Sequence, residues 1–184
     1  MDIRPWHQGD EALAVAAEPH LSAASLAHRF LAGTGGRLPA GYVRHIAAGP
    51  RPAWDAQVAA CDDHLIGWAE FGRMPGDLAL ADLGVIVADP WHRRGIATVL
   101  IRALLPRMAA AGVRELRADV LPGNRAAQGL LASLFGAHLR AGYDDGVVRY
   151  HAHLADLLVA SPPVPVGPGA RAAMPDSTSV LTGC

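Results

Sequence analysis

The chain has 184 residues, 51% hydrophobic and 18% charged, so it can bury one sizeable core and cannot be disordered throughout. Its 16 basic residues, all arginine, balance 17 acidic ones to a net charge of -1; this disfavours a nucleic-acid-binding field, and the lack of lysine excludes a side-chain Schiff base or P-loop lysine. No N-terminal basic and apolar pair of segments and no apolar run of ~18 residues is present, so neither export nor membrane insertion is signalled. Two cysteines far apart, Cys61 and Cys184, fit a reducing compartment better than a disulfide framework, and a cytoplasmic location is expected.

In chain order, residues 2–6 read as a strand, and 10–17 and 22–31 as helices with Asp10 and Ser22 as N-caps. Residues 33–54, rich in Gly and Pro, read as loop with one helical turn. Strands at 56–61 and 65–72 are joined across Asp62-Asp63-His64 as a hairpin, and a third strand spans 78–87 before Ala88-Asp89-Pro90 stops it. Apolar residues at Ile96, Val99, Leu100, Ala103, Leu104 and Met108 repeat with a helical period that closes at Gly112, with a kink expected at Pro106. A strand at 115–121, a helix after Asn124 and strands at 138–143 and 147–154 complete the domain, the last two turning at Asp145-Gly146. The expected organisation is one domain over 1–160 and a flexible tail over 161–184, whose five prolines and missing periodicity deny it regular pairing.

The chemistry concentrates in residues 83–100, LGVIVADPWHRRGIATVL, which pass from strand through a glycine turn straight into a helix. In the first helical turn the amides of Arg94, Gly95, Ile96, Ala97 and Thr98 lack intrahelical acceptors and sit at the positive end of the helix dipole. A pyrophosphate would satisfy them. Gly95 permits positive φ, Ala97 leaves room, and Arg93 and Arg94 can add charge-assisted contacts; an ordinary strand-to-helix turn is the plainer alternative.

The run His92-Arg93-Arg94-Gly95-Ile96-Ala97 resembles the Gln/Arg-x-x-Gly-x-Gly/Ala motif of the GCN5-related N-acetyltransferases, with His92 departing from the usual first residue. The resemblance continues through RELRADVLPGNRAAQGLLASLFGA, which looks like that family's next strand, Asn-containing turn and helix. It implies an α/β (α+β) fold, a mixed and mostly antiparallel sheet flanked by helices, and acetyl-CoA as cosubstrate with no metal. It also implies that the strand before the motif splays from its neighbour, so that backbone groups at Val85 and Val87 pair with the pantetheine arm, and that Asn124 contacts that arm or braces the turn; a helix N-cap is the alternative for Asn124.

An amine attacks only when deprotonated, so a base or water relay is required near the thioester. Some relatives that acetylate protein lysines carry a Glu at the position of Asp82, which makes Asp82 the candidate base, with His92 and Asp89 in reserve. Leu131 stands where many members place the Tyr that protonates the leaving thiolate, leaving water, Tyr143 or Ser133 as proton sources. The segment LSAASLAHRF at 21–30 resembles the LSxxSxxxRF segment of bacterial protein-lysine acetyltransferases. The implied acceptor is a protein lysine or a small primary amine, met by a monomer or homodimer without nucleic acid or membrane. The competing expectation is a catalytically silent acyl-CoA-binding or regulatory module. His151 and His153 share a strand face without supporting ligands, and Cys61 reads as a small core residue.

Overall fold

In β3 (His64–Met74), which follows β2 (Trp54–Cys61), an unbroken buried run, Leu65 to Phe71, points successive residues to opposite faces, which requires cover on both sides of the sheet. The computed structural model describes residues 1–160; the expected tail over 161–184 lies outside the described residues. Seven strands form one sheet in the order β1-β2-β3-β4-β5-β7-β6, the others being β1 (Asp2–Pro5), β4 (Asp77–Val87), β5 (Glu115–Val120), β6 (Arg140–Asp144) and β7 (Val147–His153). All neighbours run antiparallel except β4 and β5, which are parallel and joined by α4 (Ile96–Ala110).

The two faces carry different cores. Trp54, Ala56, Val58 and Trp68 pack with Trp6, Leu26, Leu38 and Ile46 under α1 (Asp10–Ala16), α2 (Ala23–Phe30) and α3 (Ala40–Ala47). On the other face Ala59, Ala69, Phe71, Ala81 and Leu116 meet α4, α5 (Arg125–Phe135) and α6 (Leu154–Ala160). Leu100, Ile101, Leu104, Leu105 and Met108 of α4 are fully buried there, each worth about 1.5–3 kcal/mol of transfer free energy.

The mixed α/β sheet is the one expected, with differences at element ends. Residues 33–54 contain α3, two turns rather than one, because Ile46 is fully buried and Tyr42 and Val43 pack on the tryptophan-rich core; tertiary burial overrides the Gly and Pro content. Asp10 lies within α1 rather than at its cap: Gly9 takes that position in the left-handed region, and the Asp10 carboxylate is held by Arg4 at 2.6 and 2.8 Å and by the His7 amide at 2.8 Å. Ser22 does cap α2, accepting from the Ser25 amide at 3.2 Å. Helix α4 runs through Pro106, which is exposed and so gives up its amide hydrogen bond on the water side. β6 begins at Arg140 after a 3-10 turn at Gly136–His138, and α6 was not anticipated; its Leu154 and Leu157 are buried against α4 and α5.

Candidate active site

β4 and β5 are paired at only three positions, Leu80 with Glu115, Ala81 with Leu116 and Asp82 with Arg117. Beyond Asp82 the two strands carry no further pairing, while β4 stays in register with β3 as far as Val87 opposite Gly67. The Ala88 amide donates to the Ile66 carbonyl at 2.8 Å, so residues in phase with it (Ile86, Gly84, Asp82) turn their peptide groups to β3. Leu83, Val85 and Val87 therefore turn theirs toward the fork, where an amide-bearing arm can pair with them. The Val87 carbonyl already accepts from His92 Nε2 at 2.8 Å, so His92 is tied to the strand end instead of standing free beside the amides that open α4.

Past this edge, a 3-10 turn (Asp89–Trp91) leads to a glycine turn with two residues at positive φ, Arg93 at 63° and Gly95 at 77°. A left-handed arginine is an uncommon backbone state that the surrounding turn must hold, and such states cluster at ligand clamps. The first intrahelical bond of α4 runs from the Val99 amide to the Gly95 carbonyl at 3.1 Å, and Gly95 lies exposed with nothing within 4 Å of where a Cβ would stand. The amides of Arg94, Gly95, Ile96, Ala97 and Thr98 thus open a seat of the shape a pyrophosphate requires. Arg94 is stacked over Trp91 at 4.8 Å, which places its charge at the rim.

On the opposite face, β3 and β4 floor a cleft of about 230 Å³ lined by Arg29, Phe30, Tyr42, Trp54, Glu70, Asp82 and Gly84 among others. Asp82 stands at its mouth with a side chain 44% exposed, held in a two-pronged pair by Arg117 Nε at 2.5 Å and Nη2 at 2.8 Å. Each carboxylate oxygen keeps a second lone pair for water or an amine. Deeper in, Glu70 is 4% exposed and accepts from Trp54 Nε1 at 2.8 Å, from the Tyr42 hydroxyl at 3.0 Å and from the Arg29 guanidinium. Burial lowers the Arg29 pKa and raises that of Tyr42. The Arg29 guanidinium lies against Gly84, where any Cβ would collide with it, so the glycine is what admits this cation to the strand surface.

The remaining expected residues separate by location. Asn124 caps α5 through its Oδ1, which accepts from the Ala127 amide at 3.1 Å, the helix N-cap alternative. Leu131 is 4% exposed inside the core and offers no proton to the fork, and Tyr143 lies on β6 with β7 and β5 between it and β4. Cys61 is buried. Among the described residues no group of three His, Cys, Asp or Glu side chains could hold a metal, and no helix is long and apolar enough to cross a membrane. Glu70 and its Arg29-Tyr42-Trp54 partners went unread in the sequence. The available signal was one carboxylate inside the apolar strand LIGWAEFG, which a buried strand tolerates only when its charge is paired.

The profile of the Acetyltransferase (GNAT) family matches residues 30–137. No curated protein sequence matches the chain. Among solved structures, the GNAT domain of S. lividans PAT superposes with a TM-score of 0.74 at 22% identity, covering 82% of this chain and 89% of its own. The yncA protein of Salmonella typhimurium, solved with its cofactor acetyl-CoA, gives 0.65 at 16% identity over 83% and 92%. Ribosomal-protein-alanine N-acetyltransferase of Brucella melitensis gives 0.63 at 18% identity over 83% and 99%. A family profile spanning more than half of the chain, over the strand fork and the amide seat just described, makes this protein a member of the GNAT acetyltransferase family.

Proposed function

We propose that the protein transfers an acetyl group from acetyl-CoA directly to a primary amine, on a protein lysine or a small molecule. The observation that carries this reading is the placing of Asp82: it ends the β4 and β5 pairing, so the open backbone edge and the acceptor cleft meet beside one carboxylate. The open φ-positive seat at Arg94 to Thr98 suits the pyrophosphate, and Val85 and Val87 suit the pantetheine amides, Val87 after sharing or yielding its bond from His92. Acetyl-CoA supplies a thioester-activated acetyl group.

Asp82 accepts the proton of the amine, directly or through a water, because a neutral nitrogen is the nucleophile and an unperturbed lysine amine has a pKa of about 10.4. Arg117 fixes the direction of the carboxylate by its two-pronged pair. Leu131 gives no proton to the departing thiolate, and water suffices because a thiol pKa of about 8.5 makes it a tolerable leaving group. Thiol release measured with a panel of primary amines separates this activity from a silent CoA-binding module, which releases none. The variant Asp82→Asn should lower kcat about 10²-fold at neutral pH, recover in part at high pH as free amine accumulates, and leave CoA affinity unchanged. A wild-type kcat and pH profile in that variant would remove Asp82 from the role.

A further inference from the structure

The loop between β4 and α4 touches more than the cofactor seat. Asp89, which opens its 3-10 turn, accepts from the Ser25 hydroxyl at 2.7 Å across 64 positions of chain. The hydroxyl of Ser22, the N-cap of α2, donates to the Ser25 hydroxyl oxygen at 3.1 Å, so the two serines stand in series on this carboxylate. An anion at the start of a helix meets both the free amides and the positive end of the dipole, so Asp89 serves as a tertiary cap for α2. His92 Nε2 stands 3.6 Å from the same oxygen, Asp89 Oδ1, too far for a hydrogen bond, and donates to the Val87 carbonyl at 2.8 Å instead. Contacts thus run from the first turn of α2 through Asp89 and His92 to the last residue of β4.

The other end of α2 carries Arg29 and Phe30 into the acceptor cleft. One loop carboxylate therefore registers the helix that walls the acceptor side against the segment that presents the phosphate-facing amides. We infer that Asp89 is a positioning residue for both substrates, held by Ser22 and Ser25, rather than a reserve base. This gives the two serines of the LSAASLAHRF segment a shared purpose, docking α2 onto the cofactor loop. The inference rests on the acetyl-transfer reading, and its test keeps the two apart.

Calorimetric titration with CoA and steady-state kinetics with the best amine of the panel are compared for wild type, Asp89→Ala, Ser25→Ala and the double variant. Asp89→Ala is expected to weaken CoA binding about fivefold or more and to raise the acceptor KM similarly, with kcat at saturation within about twofold of wild type. Ser25→Ala, which removes one hydroxyl donor and keeps the fold, should weaken CoA about two- to threefold, and the double variant should be no weaker than Asp89→Ala alone. Folded Asp89→Ala with wild-type Kd and KM, a loss confined to kcat, or losses that multiply in the double variant would each overturn the inference. Should Asp89→Ala not fold, an unchanged Kd in Ser25→Ala overturns it. Wild-type protein that binds no CoA would instead overturn the acetyl-transfer reading and this inference with it.

Discussion

The two sides of β4 are built by different means. Toward α4, the proposed cofactor seat is built from backbone: amides freed by a helix start, a glycine and an arginine at positive φ, and peptide groups exposed where β5 departs. Toward α2 and α3, the proposed acceptor cleft is built from side chains drawn from five elements, Arg29, Tyr42, Trp54, Glu70 and Asp82, bound to one another or to Arg117. A backbone seat tolerates changes of side chain and fails when a torsion changes. A side-chain cleft fails residue by residue, and its specificity changes with them.

The sharpest way to break this contrast is at Glu70. Glu70→Ala leaves the buried Arg29 cation without its anion and orphans the Trp54 and Tyr42 donors, for an expected loss of about 3–5 kcal/mol. Differential scanning calorimetry should show this as a fall in Tm of roughly 10 °C, at 2–4 °C per kcal/mol for a domain of this size. A Tm within two or three degrees of wild type, measured the same way, would mean that the cluster is solvated and carries little of the wall.

Next in size is Gly84→Ala, which pushes a methyl into the Arg29 guanidinium and should cost about 1–3 kcal/mol. Because it disturbs only the acceptor face, the acceptor KM is expected to rise about fivefold while CoA affinity stays within about twofold. Equal effects on both ligands would erase the division between the two faces.

That division also explains what could be read from the residues alone. The cofactor seat follows from local chemistry, since Gly95 before a helical period and Asp89-Pro90 after a strand suffice to place free amides in space, and the structure keeps that turn. Val85 and Val87 came only from the family resemblance; their direction follows from the end of β4 and β5 pairing at Asp82, a tertiary fact. The acceptor cleft needed tertiary facts. Arg29 and Glu70 lie 41 positions apart and meet only because α2 crosses β3 and β4, and α3 was hidden because burial of Ile46, not propensity, makes it a helix. Helix α6 was missed for a related reason: its short apolar run directly follows a strand and becomes helical only by packing Leu154 and Leu157 on α4 and α5. Asn124 and His92 turn their side chains to the α5 cap and the Val87 carbonyl, choices fixed by partners that spacing does not reveal.

A smaller effect sits at the far edge of the sheet, away from both ligands. Burial pushes the Asp10 pKa up, but bonds from Arg4 and the His7 amide more than offset it and leave the carboxyl below its ordinary value. A depressed carboxylate contributes stability above its unfolded pKa and loses it as pH falls through the folded one. Asp10→Asn should therefore cost about 1–2 kcal/mol at pH 7, read from urea unfolding, with the gap closing toward pH 3. CoA affinity and acceptor KM should not move, and a shift in either would show that this edge is coupled to the ligand faces.

The claim on which the comparison turns is that the cofactor is held by backbone at a left-handed glycine. Gly95→Val tests it, because a Cβ there meets no protein atom within 4 Å, so the valine acts on the seat itself by resisting a φ of 77° and by crowding the amides. Calorimetric titration with CoA should show at least a tenfold weaker Kd than wild type, about 1.4 kcal/mol, in a variant whose far-ultraviolet circular dichroism is unchanged. An unaltered Kd in that folded variant would contradict the account and move the pyrophosphate away from the amides of Arg94 to Thr98.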